Sequence, residues 1–297
     1  MKVAYLGPAG SFSESTAQSL FVGKPAEFSM CASLGELQTT LFEKVADMIV
    51  MPIFNSKEGA LKTTDSEKSY IEIFIEKKMQ NSSAFRIVAE KFVPMEFCLL
   101  SKKGVDLAHI KKVHVNPYGE NLCRDFLSHY PHWQIQKHSS SSAAAVALRD
   151  DPQMTSAALS AKQAAEQYDL AILAENILPV SDLPVMHFLV FATGELDAVS
   201  VFGPASENLI YVYAIRTEDA EHTLCNLGKS SSQEFYWKKM NEKILYVETV
   251  SPLEAGDLVE CTFLGTYPAC IERSKFQPMM GYQFVPSTQT LRRGQTQ

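Results

Sequence analysis

Lys2-Val3-Ala4-Tyr5-Leu6-Gly7-Pro8-Ala9-Gly10-Ser11-Phe12-Ser13-Glu14 opens the chain as one strand, one turn and one helix start. The apolar run over 2–6 predicts a strand, the glycine-proline cluster a tight turn, and residues 13–20 a helix. Amides at a helix start, with the Ser11 and Ser13 hydroxyls beside them, suit a carboxylate. Taken alone, the stretch reads at least as well as a tight turn whose Ser13 caps a helix.

Working outward, short apolar runs alternate with amphipathic stretches, which is the pattern of an α/β fold. Strands are predicted over 2–6, 47–52, 87–90, 96–101, 112–115, 134–137, 156–159, 170–173 and 187–192. Helices are predicted over 13–20, 34–45, 120–129, 143–148 and 162–168, with one more after Glu58. Two further strand-to-helix loops match the first in character. One carries Asn55, Ser56, Glu58, Thr63, Thr64 and Asp65, and the other is His138-Ser139-Ser140-Ser141-Ser142-Ala143. The second of these reads equally as a serine-rich helix cap. Three such loops in one α/β region describe a polar cleft for a small anion, where open sheets bind ligands.

The chain has 297 residues, a hydrophobic fraction of 46% and a net charge of -7. That length suggests two or three domains, and the acidic balance with no long Lys/Arg cluster disfavours nucleic acid as a partner. No stretch has the roughly 18 apolar residues of a membrane span. The start goes straight into a strand without a signal core, so a cytoplasmic protein is expected. The six cysteines stand singly, with neither zinc-site nor disulfide spacing, and no metal ligand set is expected. After Gly194 the texture turns small and polar up to residue 207, including Gly203-Pro204, which marks a linker. Beyond it, the expected order of strand, helix, two strands, helix and strand fits a small ferredoxin-like α+β domain, with strands near 208–215, 244–249 and 259–264 and helices near 218–227 and 268–274.

The motifs then resemble those of the prephenate dehydratase family. The family's G-P-x-G-[ST]-F-S matches Gly7 to Ser13, and its A-D-x-x-V-x-P-I-E-N-S-x-E-G matches Ala46 to Gly59, with Phe54 in place of the glutamate. Thr63-Thr64-Asp65 is similar to its Thr-x-Asp. Pro117, Cys123, Phe126-Leu127, Ser141-Ser142-Ala143, Ala157-Ala158-Leu159-Ser160, Ala164-Ala165, Tyr168 and Leu173-Ala174-Glu175-Asn176-Ile177 follow in the family's order. The similarity covers about the first 194 residues.

The resemblance implies a two-lobed fold like a periplasmic binding protein, with lobes of about 1–77 plus 170–194 and of 78–169. It implies prephenate as substrate, with neither metal nor organic cofactor. Carried onto matching positions, it puts substrate contacts at Ser11, Phe12, Ser13, Asn55, Ser56, Thr64, Asn116, Ser141, Ser142, Leu159 and Phe188. It also implies an ACT-like regulatory domain over 208–286, which raises the expectation of an amino-acid effector and a homodimer or homotetramer. Residues 287–297 are expected to form a disordered tail.

Departures fall where the chemistry should be. The family's Thr-Arg-Phe is Met186-His187-Phe188 here, and its Ser-His-Pro-Gln is Val115-Asn116-Pro117-Tyr118. Dehydration needs a proton for the departing C4 hydroxyl, and Met186 has no hydroxyl to offer. An imidazole at 187 does not reproduce the guanidinium's two-pronged grip on a carboxylate. Non-aromatising prephenate decarboxylases of antibiotic pathways resemble this chain in lacking Thr-Arg-Phe. The leading expectation is therefore release of CO2 with the ring hydroxyl kept, giving a dihydro-4-hydroxyphenylpyruvate. A divergent dehydratase making phenylpyruvate is the alternative, and a non-catalytic binding protein is the third. His187 and Glu58 are candidate proton donors, with Tyr118 and Asn116 beside them. His187 serves equally as filler for the lost arginine.

Overall fold

The computed structural model describes residues 1–62, 68–80, 85–194, 196–202, 209–230, 235–253, 261–269, 273–276 and 278–285. Thr63, Thr64, Asp65, Cys270 and the expected tail over 287–297 lie outside them.

In chain order the first elements are β1 (Lys2–Leu6), α1 (Phe12–Leu20), β2 (Glu27–Cys31), α2 (Leu34–Phe42), β3 (Met48–Asn55), β4 (Gly59–Ala60), α3 (Tyr70–Gln80) and β5 (Phe85–Pro94). Then come β6 (Cys98–Ser101), β7 (Lys112–Val115), α4 (Pro117–Leu122), α5 (Arg124–Ser128), β8 (Gln134–Lys137), α6 (Ser141–Asp150), β9 (Ser156–Ser160), α7 (Lys162–Gln167), β10 (Ala171–Ala174) and β11 (Val185–Thr193). The rest are α8 (Ala198–Phe202), β12 (Leu209–Arg216), α9 (Ala220–Ser230), β13 (Phe235–Asn241), β14 (Ile244–Thr249), β15 (Cys261–Pro268), α10 (Arg273–Phe276) and β16 (Gln283–Val285). The α/β class expected from the alternation is the one observed.

Several elements differ from expectation for local reasons. The helix expected over 120–129 is two short ones, because Asn116 and Pro117 start α4 earlier and Cys123, at φ -91° and ψ 19°, interrupts it. Residues 198–202 of the expected linker form α8, whose start is closed by the Ser200 N–H on Asp197 Oδ1 at 2.8 Å. The strand expected over 259–264 runs from Cys261 to Pro268, so the helix expected near 268–274 is the short α10.

The described residues cluster into two compact units. One holds 3–37 and 93–185, the other 1–2, 38–92 and 186–297. In the first, β10-β6-β9-β7-β8 form a sheet in that order, and β1 pairs with β2. Ala144, Ala145 and Leu148 of α6 and Ala164 and Ala165 of α7 pack on Cys98, Leu100 and Ala158 of this sheet. Alanines suit that seam, since small side chains let a helix lie close on the strands.

In the second unit the strands follow the order β16-β13-β14-β12-β15-β5-β11-β3, with β4 added to β3. Met48, Ile49, Val50 and Met51 of β3 are all fully buried, as a near-continuous apolar run requires. Phe74 of α3 lies 4.4 Å from Phe191 of β11 and 5.2 Å from Phe85 of β5, ring centre to ring centre. Residues 209–268 show the strand, helix, hairpin and strand of the expected ferredoxin-like region, with β12 pairing antiparallel to both β14 and β15. That region continues the sheet through β15 and β5, where Gly265 pairs with Ile87. A Cβ at 265 would sit 2.1 Å from the Ile87 carbonyl oxygen, so only glycine fits that crossing.

Candidate active site

In the first unit, side chains cap the starts of α1, α4 and α6. Ser11 Oγ accepts the Glu14 N–H at 3.2 Å and donates to the Leu6 carbonyl at 3.1 Å. Asn116 Oδ1 accepts the Gly119 N–H at 3.2 Å, and Ser140 Oγ accepts the Ala143 N–H at 3.0 Å. Ser11 rather than Ser13 is therefore the first cap, and Ser140 rather than Ser141 or Ser142 the third. Glu14 sits in the first turn of α1 and accepts the Gly10 N–H at 2.6 Å, bracing the glycine turn from the helix side.

Contacts within the unit join these three starts. The Phe12 ring meets Phe97 edge-on at 6.0 Å, and Gly119 lies against the same ring, since a Cβ there would be 3.1 Å from Phe97 Cε1. Phe97 precedes Cys98, which pairs with Ser160 across the β6–β9 ladder. Ser160 Oγ in turn donates to the Ser141 carbonyl at 2.9 Å. Tyr168 Oη donates to the Ala9 carbonyl at 2.6 Å, anchoring the glycine turn against α7. Ser11, Phe12, Asn116 and Ser141 are thus held in one region. Ser13, Ser142 and Leu159 are buried, and Leu159 is a core residue of β9. Helix starts gathered in this way present N–H groups and positive dipole ends, which suit an acidic ligand.

In the second unit, Asn55 is buried at the end of β3, and its Oδ1 accepts the Lys57 N–H at 2.8 Å and the Glu58 N–H at 3.3 Å. The amide thereby shapes the turn carrying Ser56 and Glu58, and partial desolvation raises the Glu58 carboxyl above its usual range. Met186 pairs with Asn55 across the β11–β3 ladder, and His187 with Phe54. Phe188 follows a register shift and is buried in the core.

His187 is not an open proton donor. It is 1% exposed, stacks on Phe92 with ring centres 4.3 Å apart, and sets Nε2 3.3 Å from Glu90 Oε2. Burial lowers its pKa, with Glu90 pulling the other way. The cavity beside it, about 20 Å³ and lined by Phe54, Lys238, Tyr246 and Tyr282 among others, has room for one water. Glu90 also meets Arg273 of α10, which bonds Glu248 of β14 and lies near Tyr267. Burial alone raises the Glu90 pKa, and the Arg273 charge and His187 outweigh it to hold the carboxyl below its usual range.

Sequence reasoning missed Phe97 and the Glu90–Arg273–Glu248 cluster, and met Ser160 only as the end of the motif Ala157 to Ser160. Phe97 carries no signature by itself. Glu90 follows Ile87-Val88-Ala89 in a strand whose other residues are largely apolar, and an acid there is the one signal of a buried partner. Among the described residues no group of three or more His, Cys, Asp or Glu is placed to hold a metal ion, and no helix is long and apolar enough to cross a membrane.

Comparison with known proteins follows the same residues. Prephenate dehydratase from Lactococcus lactis subsp. lactis (strain IL1403) is 33% identical over 180 residues, covering 60% of this chain and 58% of that protein. The chain thus spans little more than half the length of such curated relatives. Among solved structures, a prephenate dehydratase from Arthrobacter aurescens in complex with L-Phe superposes with a TM-score of 0.70 at 20% identity, covering 91% of this chain and 90% of that one. GqqA, described as a novel type of quorum quenching acylase, gives 0.72 at 16%, covering 92% and 100%. At those identities the two structures establish a shared fold. The family model described as prephenate dehydratase matches residues 3–192, the span that carries the capped helix starts, the Asn55 turn and β11. On that match the chain belongs to the prephenate dehydratase family.

Proposed function

We propose that this chain is a lyase acting on prephenate, and that the family's own reaction, loss of CO2 and the C4 hydroxyl to give phenylpyruvate, is the best supported reading. The observation that carries it is the gathering of the Ser11, Asn116 and Ser140 helix starts in one region of a chain that matches the family over residues 3–192. Prephenate is a dicarboxylate, and backbone N–H groups at helix starts are matched to carboxylates. Expected contacts are Ser11, Phe12, Ser13, Asn55, Ser56, Asn116, Ser141 and Ser142, with Glu58 a candidate proton donor.

A second reading is favoured by Met186. Its thioether gives no proton to a leaving hydroxyl, so CO2 release with the hydroxyl kept, and protonation of a ring carbon, is the competing outcome. Lobes near 1–77 plus 170–194 and 78–169 belong to the same proposal. So do an ACT-like role for the region after 208, an amino-acid effector there, and a homodimer or homotetramer.

Incubation with prephenate at neutral pH, followed by NMR of products, separates the readings. Phenylpyruvate supports the first, and a dihydro-4-hydroxyphenylpyruvate supports the second. Binding without turnover overturns the lyase reading in favour of a sensor, and absence of binding overturns the substrate.

A further inference from the structure

One cluster of titratable side chains belongs to none of the family motifs. Asp151 closes α6 with its side chain 7% exposed. Its Oδ2 accepts from Ser156 Oγ at 2.7 Å and Lys112 Nζ at 3.0 Å and lies 3.2 Å from His114 Nε2, while Oδ1 accepts the Gln153 N–H at 2.9 Å. Burial raises the carboxyl, but these donors outweigh it and hold Asp151 ionised well below the usual carboxylate range. His114, buried in β7, sets its other nitrogen, Nδ1, 2.8 Å from His138 Nε2.

An ionised Asp151 fixes the protons along this row. It accepts from His114 Nε2–H, which leaves His114 Nδ1 as an acceptor for His138 Nε2–H. The remaining atom, His138 Nδ1, makes no hydrogen bond to any described residue, and the ring is half-buried. Its position is set by the chain: the His138 N–H donates to the Val115 carbonyl at 2.9 Å, next to the Asn116 cap, and the Ser140 cap lies two residues on. A histidine pair serving only to fill space under α6 needs neither an ordered carboxylate nor an accessible nitrogen beside two ligand-binding turns.

We propose that His138 Nδ1 is the acid–base atom of the reaction in this chain, positioned by His114 and Asp151. The assignment rests on the prephenate-lyase reading and supplies the proton that either product requires. As the bond to the departing carboxylate breaks, its electron pair enters the ring system and CO2 leaves. The His138 imidazolium gives its Nδ1 proton either to the C4 oxygen, which departs as water, or to a ring carbon if the hydroxyl stays. His138 is left neutral and regains a proton from solvent, while Asp151 stabilises the positive charge that the row carries between turnovers.

The charged groups around the row are Asp151, Lys112 on its carboxylate and Lys102 on its backbone carbonyl, with Lys137, next to His138, paired to Glu120 of α4 at 2.9 Å. Burial lowers the pKa of both histidines. The protonated form is the active one, so the rate falls as pH rises, with a midpoint below the ordinary histidine value of about 6.5.

The test is steady-state kinetics of the full chain on prephenate. His138→Gln is expected to lower kcat about 100-fold with KM within about threefold and to abolish the descending pH limb, on the usual scale of general acid catalysis. Asp151→Asn should lower kcat less and move the limb to lower pH, and imidazole should restore part of the activity of His138→Ala. Thermal unfolding confirms that each variant is folded. Turnover that survives His138→Gln with the same pH limb overturns the assignment alone. A wild-type chain without turnover overturns the lyase reading, and the assignment with it.

Discussion

Met186 pairs with Asn55 at the position where the family carries a threonine. Restoring a hydroxyl there with Met186→Thr should shift products toward phenylpyruvate by about tenfold or more, within the range that a placed proton donor contributes. The product ratio by NMR decides it, and an unchanged ratio removes Met186 from the argument. Lys238 poses a different question at the same scale. Its ammonium donates to the Met280 carbonyl at 2.8 Å and sits 3.6 Å over the Phe54 ring, and burial depresses it to about 8. A lysine lowered in the folded state destabilises the fold while it stays charged. Stability should therefore rise as pH climbs from about 8 to the unfolded value near 10.4, and Lys238→Met should flatten that rise while holding or raising Tm at pH 7. Urea titrations at pH 7, 8.5 and 10 measure both. Residue identity was legible in the sequence where chemistry demanded it, as at Gly10 and Asn55. It was illegible among serines, because Ser11 and Ser13, or Ser140 to Ser142, are equal caps until the backbone fixes which oxygen faces the free N–H groups.

Elements with an alternating or continuous apolar pattern were readable, and those without one were not. β13 is Phe-Tyr-Trp-Lys-Lys-Met-Asn, and its two lysines break the pattern that would announce a strand, yet it pairs with β14 and β16. β2 exposes most of its residues, so nothing in its composition marks a buried face. α6 is the clearer case, since its start is written in serine and its buried face in alanine. Ser140→Ala removes the acceptor of the Ala143 N–H and should cost about 1 kcal/mol by chemical denaturation. The same change should weaken prephenate binding if α6 contributes its start to the ligand, and calorimetric titration separates the two effects.

At the scale of the molecule, Arg273 draws together segments that lie far apart in the chain. Its guanidinium joins Glu90 of β5 and Glu248 of β14, and Glu90 passes the contact to His187 of β11. Local pattern encodes little of this, because the partners stand 183 and 25 residues from Arg273 and only Glu90, in its largely apolar strand, signals a buried partner. The two carboxylates are 0% and 1% exposed, so Arg273→Met removes the guanidinium that two buried acids share. Breaking a buried charge cluster from one side costs about 3–5 kcal/mol, while replacing every member by uncharged groups of similar size is far less damaging. Arg273→Met should accordingly lower the urea midpoint sharply, and Arg273→Met with Glu90→Gln and Glu248→Gln should recover most of it. The acid response follows from the same cluster. Glu90 is held below its usual range, so its contribution is present above the unfolded value of about 4.3 and is lost as pH falls through the lowered one. His187 is also lowered, so the unfolded chain takes up a proton first, and stability begins to decline as pH drops below about 6.5. His187→Gln should lessen that early decline, to which His114 and His138 also contribute, and leave the later one in place. A single acid transition, unchanged by His187→Gln, would show that the imidazole and Glu90 do not titrate as the buried geometry requires.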